Sequence, residues 1–171
     1  MLSRTERTHQ VTQIELTLQT SHEAFTRAFE SLLGRMQVDL ADLSSLSAQA
    51  ARARLASFVG PLDFALFQRI DYGAIVTVLT GRHCEATTYV FGNALIAIEM
   101  TKRVTRAGLY VPLRLFVEGI AGECVGVTYD LPSSLMAPFG SPAVNGVARG
   151  LDDKVERLLD ETLRAAQGRP K

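Results

Sequence analysis

The densest run of reactive side chains in the sequence is His83-Cys84-Glu85. On an extended backbone His83 and Glu85 would share a face across Cys84, and imidazole with carboxylate is a pair that zinc accepts. Zinc's usual four ligands would need completing from elsewhere, where His9, His22 and Cys124 are the other histidines and cysteine. The run therefore reads as an exposed turn, and no metal is expected. Cys84 would act as a nucleophile only if a nearby positive charge or helix terminus favoured its thiolate. No CxxC or cysteine-hydrolase motif accompanies it, so a structural thiol is the simpler reading.

Other groups carry weaker chemical signals. Asp71 could orient a ligand or cap a chain reversal before Gly73, with Tyr72 as one wall of a cleft. Glu118 and Glu123 flank a tight connection; two carboxylates can divide acid and base roles when their environments differ, but this placement suggests a solvated rim. Arg114 could clamp a carboxylate or phosphate, or simply stand on a surface. Lys102, Arg103 and Arg106 read as a helix face, since no helix-turn-helix, aromatic interleaving or zinc finger accompanies them. Gly60, Gly73 and Gly81 match neither a dinucleotide fingerprint nor a phosphate loop, so no nucleotide cofactor is implied.

The most informative tract is Tyr89-Val90-Phe91-Gly92-Asn93, between a strand-like run and an apolar helix-like run. Asn93 tolerates a left-handed backbone and could cap the following helix, while Gly92 permits close backbone approach. Alternatively, the two residues and the helix N-terminus cradle an anion or a polar ligand group. Tyr72, Phe91, Gly92, Asn93 and Arg114 are the candidate ligand-binding set.

These residues need elements to hold them. Residues 11–18 alternate as a first strand. Thr20-x-x-Glu23 makes a capping box, with Ser21 competing, and Phe25, Phe29, Leu32, Leu33 and Met36 form the stripe of a helix over 21–37. Residues 38–59 suggest a helical hairpin or arm, packed on the body or reaching a partner. Residues 64–70 read as a strand, 71–73 as a turn or bulge, and 74–79 as a buried strand or the opening of a helix. Another strand spans 87–91. A helix is expected over 94–109, with Leu95, Ile98, Met100 and Val104 inward and Gly108 as its stop. Alternation then predicts a hairpin turning at Gly119-Ile120-Ala121-Gly122. Residues 131–146, with three prolines, read as a long loop that could act as a lid or a subunit contact. The last helix is expected over 151–165, with Val155, Leu158, Leu159 and Thr162 inward and Asp152 and Asp153 complementing its positive end.

Composition bounds the class. At 171 residues, 47% hydrophobic and 21% charged, the chain suits one globular domain. Eighteen basic against 18 acidic residues give no global pull toward nucleic acid or an anionic membrane. Residues 1–10 lack the apolar core of a signal peptide, and no run approaches a spanning length. A soluble, cytoplasmic protein is the expectation, with residues 1–10 and 167–171 flexible around a domain over 11–166.

One family pattern emerges from the order of these tracts. Phe67-Gln68-Arg69-Ile70-Asp71, Thr88-Tyr89-Val90-Phe91-Gly92-Asn93, Pro112-Leu113-Arg114-Leu115-Phe116-Val117 and Gly122-Glu123-Cys124-Val125-Gly126-Val127-Thr128-Tyr129 together resemble the DUF302, or TT1751-like, family. The resemblance implies an α+β domain, an antiparallel-rich sheet with helices packed against it, commonly a dimer, and no settled activity. It also implies departures. An Asp-His pair is usual where Asp71-Tyr72 stands, Gly-Asn-Pro is Gly92-Asn93-Ala94, and the connection over 38–59 is longer. The expectation is a homodimeric domain binding a small polar or anionic molecule, with neither nucleic acid nor membrane as partner. An enzyme using Asp71, Glu85 or Cys84, or a purely structural homodimer, are the alternatives.

Overall fold

The computed structural model describes residues 2–38, 40–121 and 123–168. Asp39 in the arm, Gly122 in the hairpin turn and the tail end at 169–171 lie outside them. The chain is α+β. Strands β1 (Gln13–Leu18), β2 (Gly34–Arg35), β3 (Ala65–Asp71), β4 (Ala86–Gly92), β5 (Leu113–Ile120) and β6 (Cys124–Asp130) form one sheet. Its order is β1-β6-β5-β4-β3-β2, antiparallel throughout except for the β2–β3 pair. The helices are α1 (His22–Leu32), α2 (Leu40–Ser44), α3 (Ala48–Ala56), α4 (Tyr72–Thr80), α5 (Ala94–Thr101), α6 (Pro132–Met136) and α7 (Pro142–Ala166). None among the described residues is long and apolar enough to cross a membrane.

Alternation decides which sheet face is covered. Tyr89 and Phe91 on β4, Leu113, Leu115 and Val117 on β5, and Val125, Val127 and Tyr129 on β6 all turn to one side and are buried. Against that side α1 lays Phe25 and Phe29, and α7 lays Val155, Leu158, Leu159 and Thr162. The Phe29 ring sits 5.0 Å from Tyr89 and 5.5 Å from Phe91, while Phe64 meets Phe91 at 5.3 Å. Burying an aromatic of this size contributes on the order of 2–3 kcal/mol. Polar bonds fix α1 in that seat. Tyr89 OH donates to Glu30 Oε1 at 2.8 Å, and Arg69 Nε lies 3.2 Å from the same oxygen. Burial and then Glu30 push the Tyr89 phenol upward.

Several boundaries differ from expectation. Ser21, not Thr20, caps α1, accepting from the Ala24 amide. The helix stops at Leu32 rather than near 37, because Gly34–Arg35 leaves it to pair with Ala65–Leu66. Residues 71–73 form no turn: Asp71 Oδ1 accepts from the Ala74 amide at 2.8 Å and caps α4 directly. Of the two readings of the apolar run 74–79 the helix holds, and the run is largely exposed rather than buried. The helix expected over 94–109 ends at Thr101 and resumes as a 3-10 turn, Thr105–Leu109, with Ile98 outward. Residues 131–146 are no long loop. Pro132 and Pro142 stand at the opening positions of α6 and α7, where the missing amide hydrogen costs nothing. Consequently α7 begins nine residues before 151, and Asp152 lies within it, accepting from the Ser133 amide at 2.9 Å.

The arm expected over 38–59 is the pair α2 and α3, and its two ends close on one atom. Phe64 O accepts from Gly34 N at 2.9 Å and from Gly60 N at 2.8 Å. A Cβ on Gly34 would stand 1.8 Å from Phe58 O, and one on Gly60 would stand 2.4 Å from Leu32 O. Neither obstacle is a flexible side chain. Gly34→Ala should therefore cost about 2–4 kcal/mol by urea unfolding; a cost under about 0.5 kcal/mol would show that the junction opens freely.

Candidate functional site

An apolar recess of about 230 Å³ opens where β4 gives way to α5. Three sequence features build it. Gly92 ends β4, Asn93 starts α5, and Pro112 enters β5 through a cis peptide bond from Val111. Ile96, Ala97 and Met100 supply the helical wall, and Leu113 and Leu151 the floor. A register irregularity between Leu66 and Gln68 leaves Phe67 without a partner on β4 and sets it at the rim.

Asn93 is engaged at both ends of its amide. Its Oδ1 accepts from Leu95 N at 2.8 Å and from Ile96 N at 3.3 Å, while Nδ2 donates to Asp63 O at 2.9 Å. Its backbone is extended, not left-handed. Those bonds cap α5 and tie it to the turn before β3, and Lys154 on α7 holds Asp63 by its carboxylate at 2.8 Å. The other polar side chain of the wall, Thr101, donates to Ala97 O. Two donors at the α5 N-terminus that could greet an anion, the Leu95 and Ile96 amides, are thus already satisfied by Asn93. A Cβ on Gly92 would meet Pro112 at 3.4 Å, an ordinary contact, so its glycine is not demanded by crowding.

The structure separates the candidate set. Gly92 and Asn93 line the recess; Phe91 points into the core against Phe29 and Phe64. Tyr72 lies on α4 beside Phe116 and Ile120, at the far end of the sheet. Arg114 stands on β5 by Tyr110 and Asp130, at a small recess of about 30 Å³. His83 is exposed as read, just before β4, and Cys84 beside it is a half-buried free thiol. Among the described residues no group of three or more His, Cys, Asp or Glu could hold a metal. Sequence reasoning missed Phe67, Ala97, Pro112 and Leu151. Ala97 was findable, one turn after Asn93 on the predicted helix, but Leu151 comes from 58 positions beyond the cap and leaves no local signal.

Comparison with known proteins bears on most of the chain. The family model described as "Domain of unknown function DUF302" matches residues 41–162. The crystal structure of an uncharacterised conserved protein DUF302 from Bacillus stearothermophilus superposes with a TM-score of 0.61 at 11% identity. The match covers 87% of this chain and 96% of that one, and it carries the fold alone. No curated protein matches the chain.

Because Asn93 serves as a cap and a tie, Asn93→Ala should lower stability by about 1–2 kcal/mol in urea unfolding. Asn93→Asp keeps the cap acceptor and should recover most of that loss. Equal losses for both would place the weight on Asp63 rather than on the cap.

Proposed function

The chain belongs to the DUF302 family, a domain of unknown function, and we propose that it is a homodimeric binding domain whose recess beside α5 takes a compact apolar molecule. One observation carries the reading: the recess walls are apolar, and both polar side chains on them already have partners inside the protein. Such a site rewards a ligand for leaving water and offers little to a charge. A cavity of about 150 Å³ accepts benzene, so about 230 Å³ suits a somewhat larger ring or branched chain. The polar or anionic ligand expected at Asn93 would first have to displace its capping bonds. Ile98 and Phe67, both partly exposed, form the entrance.

The dimer rests on α4. From Tyr72 to Thr80 this helix carries no charged residue, and Val78 and Leu79 are 82% and 78% exposed. Ile75 and Ile120 extend the patch. A second copy meeting it across a two-fold axis would cover apolar surface on both sides and strand no buried charge.

Native mass spectrometry of gently purified protein, with and without added indole, tests both parts. A dimer that retains indole, with retention abolished in Ala97→Phe, is the expected result. Indole retained equally by Ala97→Phe would overturn the recess as the site. Val78→Asp should shift the mass to a monomer, and a wild-type monomer would end the dimer proposal.

A further inference from the structure

Before it enters β1 the chain passes the 3-10 turn Thr105–Leu109 and a second such turn, Ala137–Phe139, and together they enclose a cleft of about 760 Å³. Hydrogen bonds fix the approach of the first wall. Thr12 O accepts from Leu131 N at 2.8 Å, and Thr12 N donates to Ser134 Oγ at 3.0 Å. His9 is thereby brought to Tyr110, its Nε2 lying 3.4 Å from the hydroxyl and the two rings meeting edge to face at 6.3 Å. Tyr110 in turn leans on Phe139 at 5.9 Å. Both Tyr110 and Phe139 are half-buried against the core, so the cleft has an aromatic floor held by the body of the domain.

Formal charge on the walls has one sign. Arg7 and Arg106 line the cleft from separate elements, and among the described residues no Asp or Glu lines it. Neither guanidinium has an ion-pair or hydrogen-bond partner among the described residues, and Glu6, next to Arg7 in sequence, is paired with Arg4 instead. By contrast, the polar cleft of about 610 Å³ at the far end of β4 sets Arg69 and His22 among Glu23, Asp71 and Glu85. In a chain of 18 basic and 18 acidic residues, two guanidiniums with no carboxylate between them make a local positive potential. A guanidinium is a donor-only group that keeps its charge, so the partner it lacks is an acceptor. Thr8 and Gln10 on the same wall add neutral donors. The floor of Tyr110, Pro138 and Phe139 rewards apolar surface leaving water.

We propose that this cleft binds an organic oxyanion, a carboxylate or phosphate met by Arg7 and Arg106 and carried on a flat ring system that packs against Phe139, Pro138 and Tyr110. Oxygen acceptors in one plane suit the guanidinium fork. A neutral ring gains nothing from the two charges, and a cation is repelled by them. A small ion without an apolar body leaves the aromatic floor in water. The cleft shares no lining residue with the apolar recess and does not rest on the reading given to it.

Titration of the full chain with 2-naphthoate, 2-naphthyl phosphate, 2-naphthylmethanol or acetate, followed by ¹H–¹⁵N NMR, tests the assignment. Saturable shifts at the amides of His9, Arg106 and Phe139 are expected with the naphthyl anions, and the tighter of the two identifies the head group. 2-Naphthylmethanol, which has the ring without the charge, should bind about tenfold more weakly. Acetate, which has the charge without the ring, should shift nothing at concentrations that saturate the naphthyl anion. Arg7→Gln and Arg106→Gln should each weaken anion binding by about fivefold, the upper end for an exposed charge pair, and added salt should weaken it in the wild type. Ala97→Phe, which blocks the recess, should leave it unchanged. Equal binding of 2-naphthylmethanol, affinity indifferent to both arginine substitutions, shifts that never saturate, or shifts that vanish in Ala97→Phe would each overturn the proposal.

Discussion

The seat of Phe29 against Tyr89 and Phe91 governs most of what this fold can do. Because the aromatic residues of β4 face one side only, α1 has one surface on which to bury its stripe. Once Phe29 is in place, Glu30 one residue on is carried to Tyr89 and Arg69, and His22 at the other end of the helix is carried to Asp71. A single packing event therefore aligns polar groups that lie far apart in sequence. Helix α7 completes the covered layer, while residues such as Thr88, Phe116 and Thr128 remain on the opposite face, outside the core.

That arrangement gives β4 a different environment at each end. Gly92 opens into apolar walls from α5 and α7; Thr87, wholly buried, pairs with Asp71, which borders the polar cleft. About 17 Å of extended chain separates them, at ~3.3 Å per residue. The polar end cannot be reproduced at the apolar end, because the strand's inward residues between them, Tyr89 and Phe91, are sealed in the core. The two recesses accordingly differ in the character of their walls, and neither borrows a wall from the other.

The sequence made some of this legible and concealed the rest for physical reasons. The β5–β6 hairpin and the inward stripe of α7 were readable because period-2 and period-3.6 burial both operate there without interruption. The prolines of residues 131–146 misled because Pro132 and Pro142 open helices as readily as they populate loops. Helix α4 was obscured because its apolar residues face outward, so hydrophobicity no longer reported burial. Asn93 was visible as a cap from its place before the α5 run. Its tie to Asp63, 30 positions earlier, and the Glu30–Tyr89 bond spanning 59 positions were not, since only the tertiary fold creates those pairs.

The double acceptor at Phe64 O has a consequence for how this chain can vary. The excursion through α2 and α3 leaves the body at Gly34 and returns at Gly60, and both departures are anchored to the same carbonyl. Whatever the intervening residues do, the sheet meets the same two endpoints. Closing a longer or shorter loop between fixed endpoints changes the entropy only slowly with length. Since α3 rests beside α5, this segment is a handle on the recess that can be trimmed, extended or exchanged while the strands beneath it keep their register.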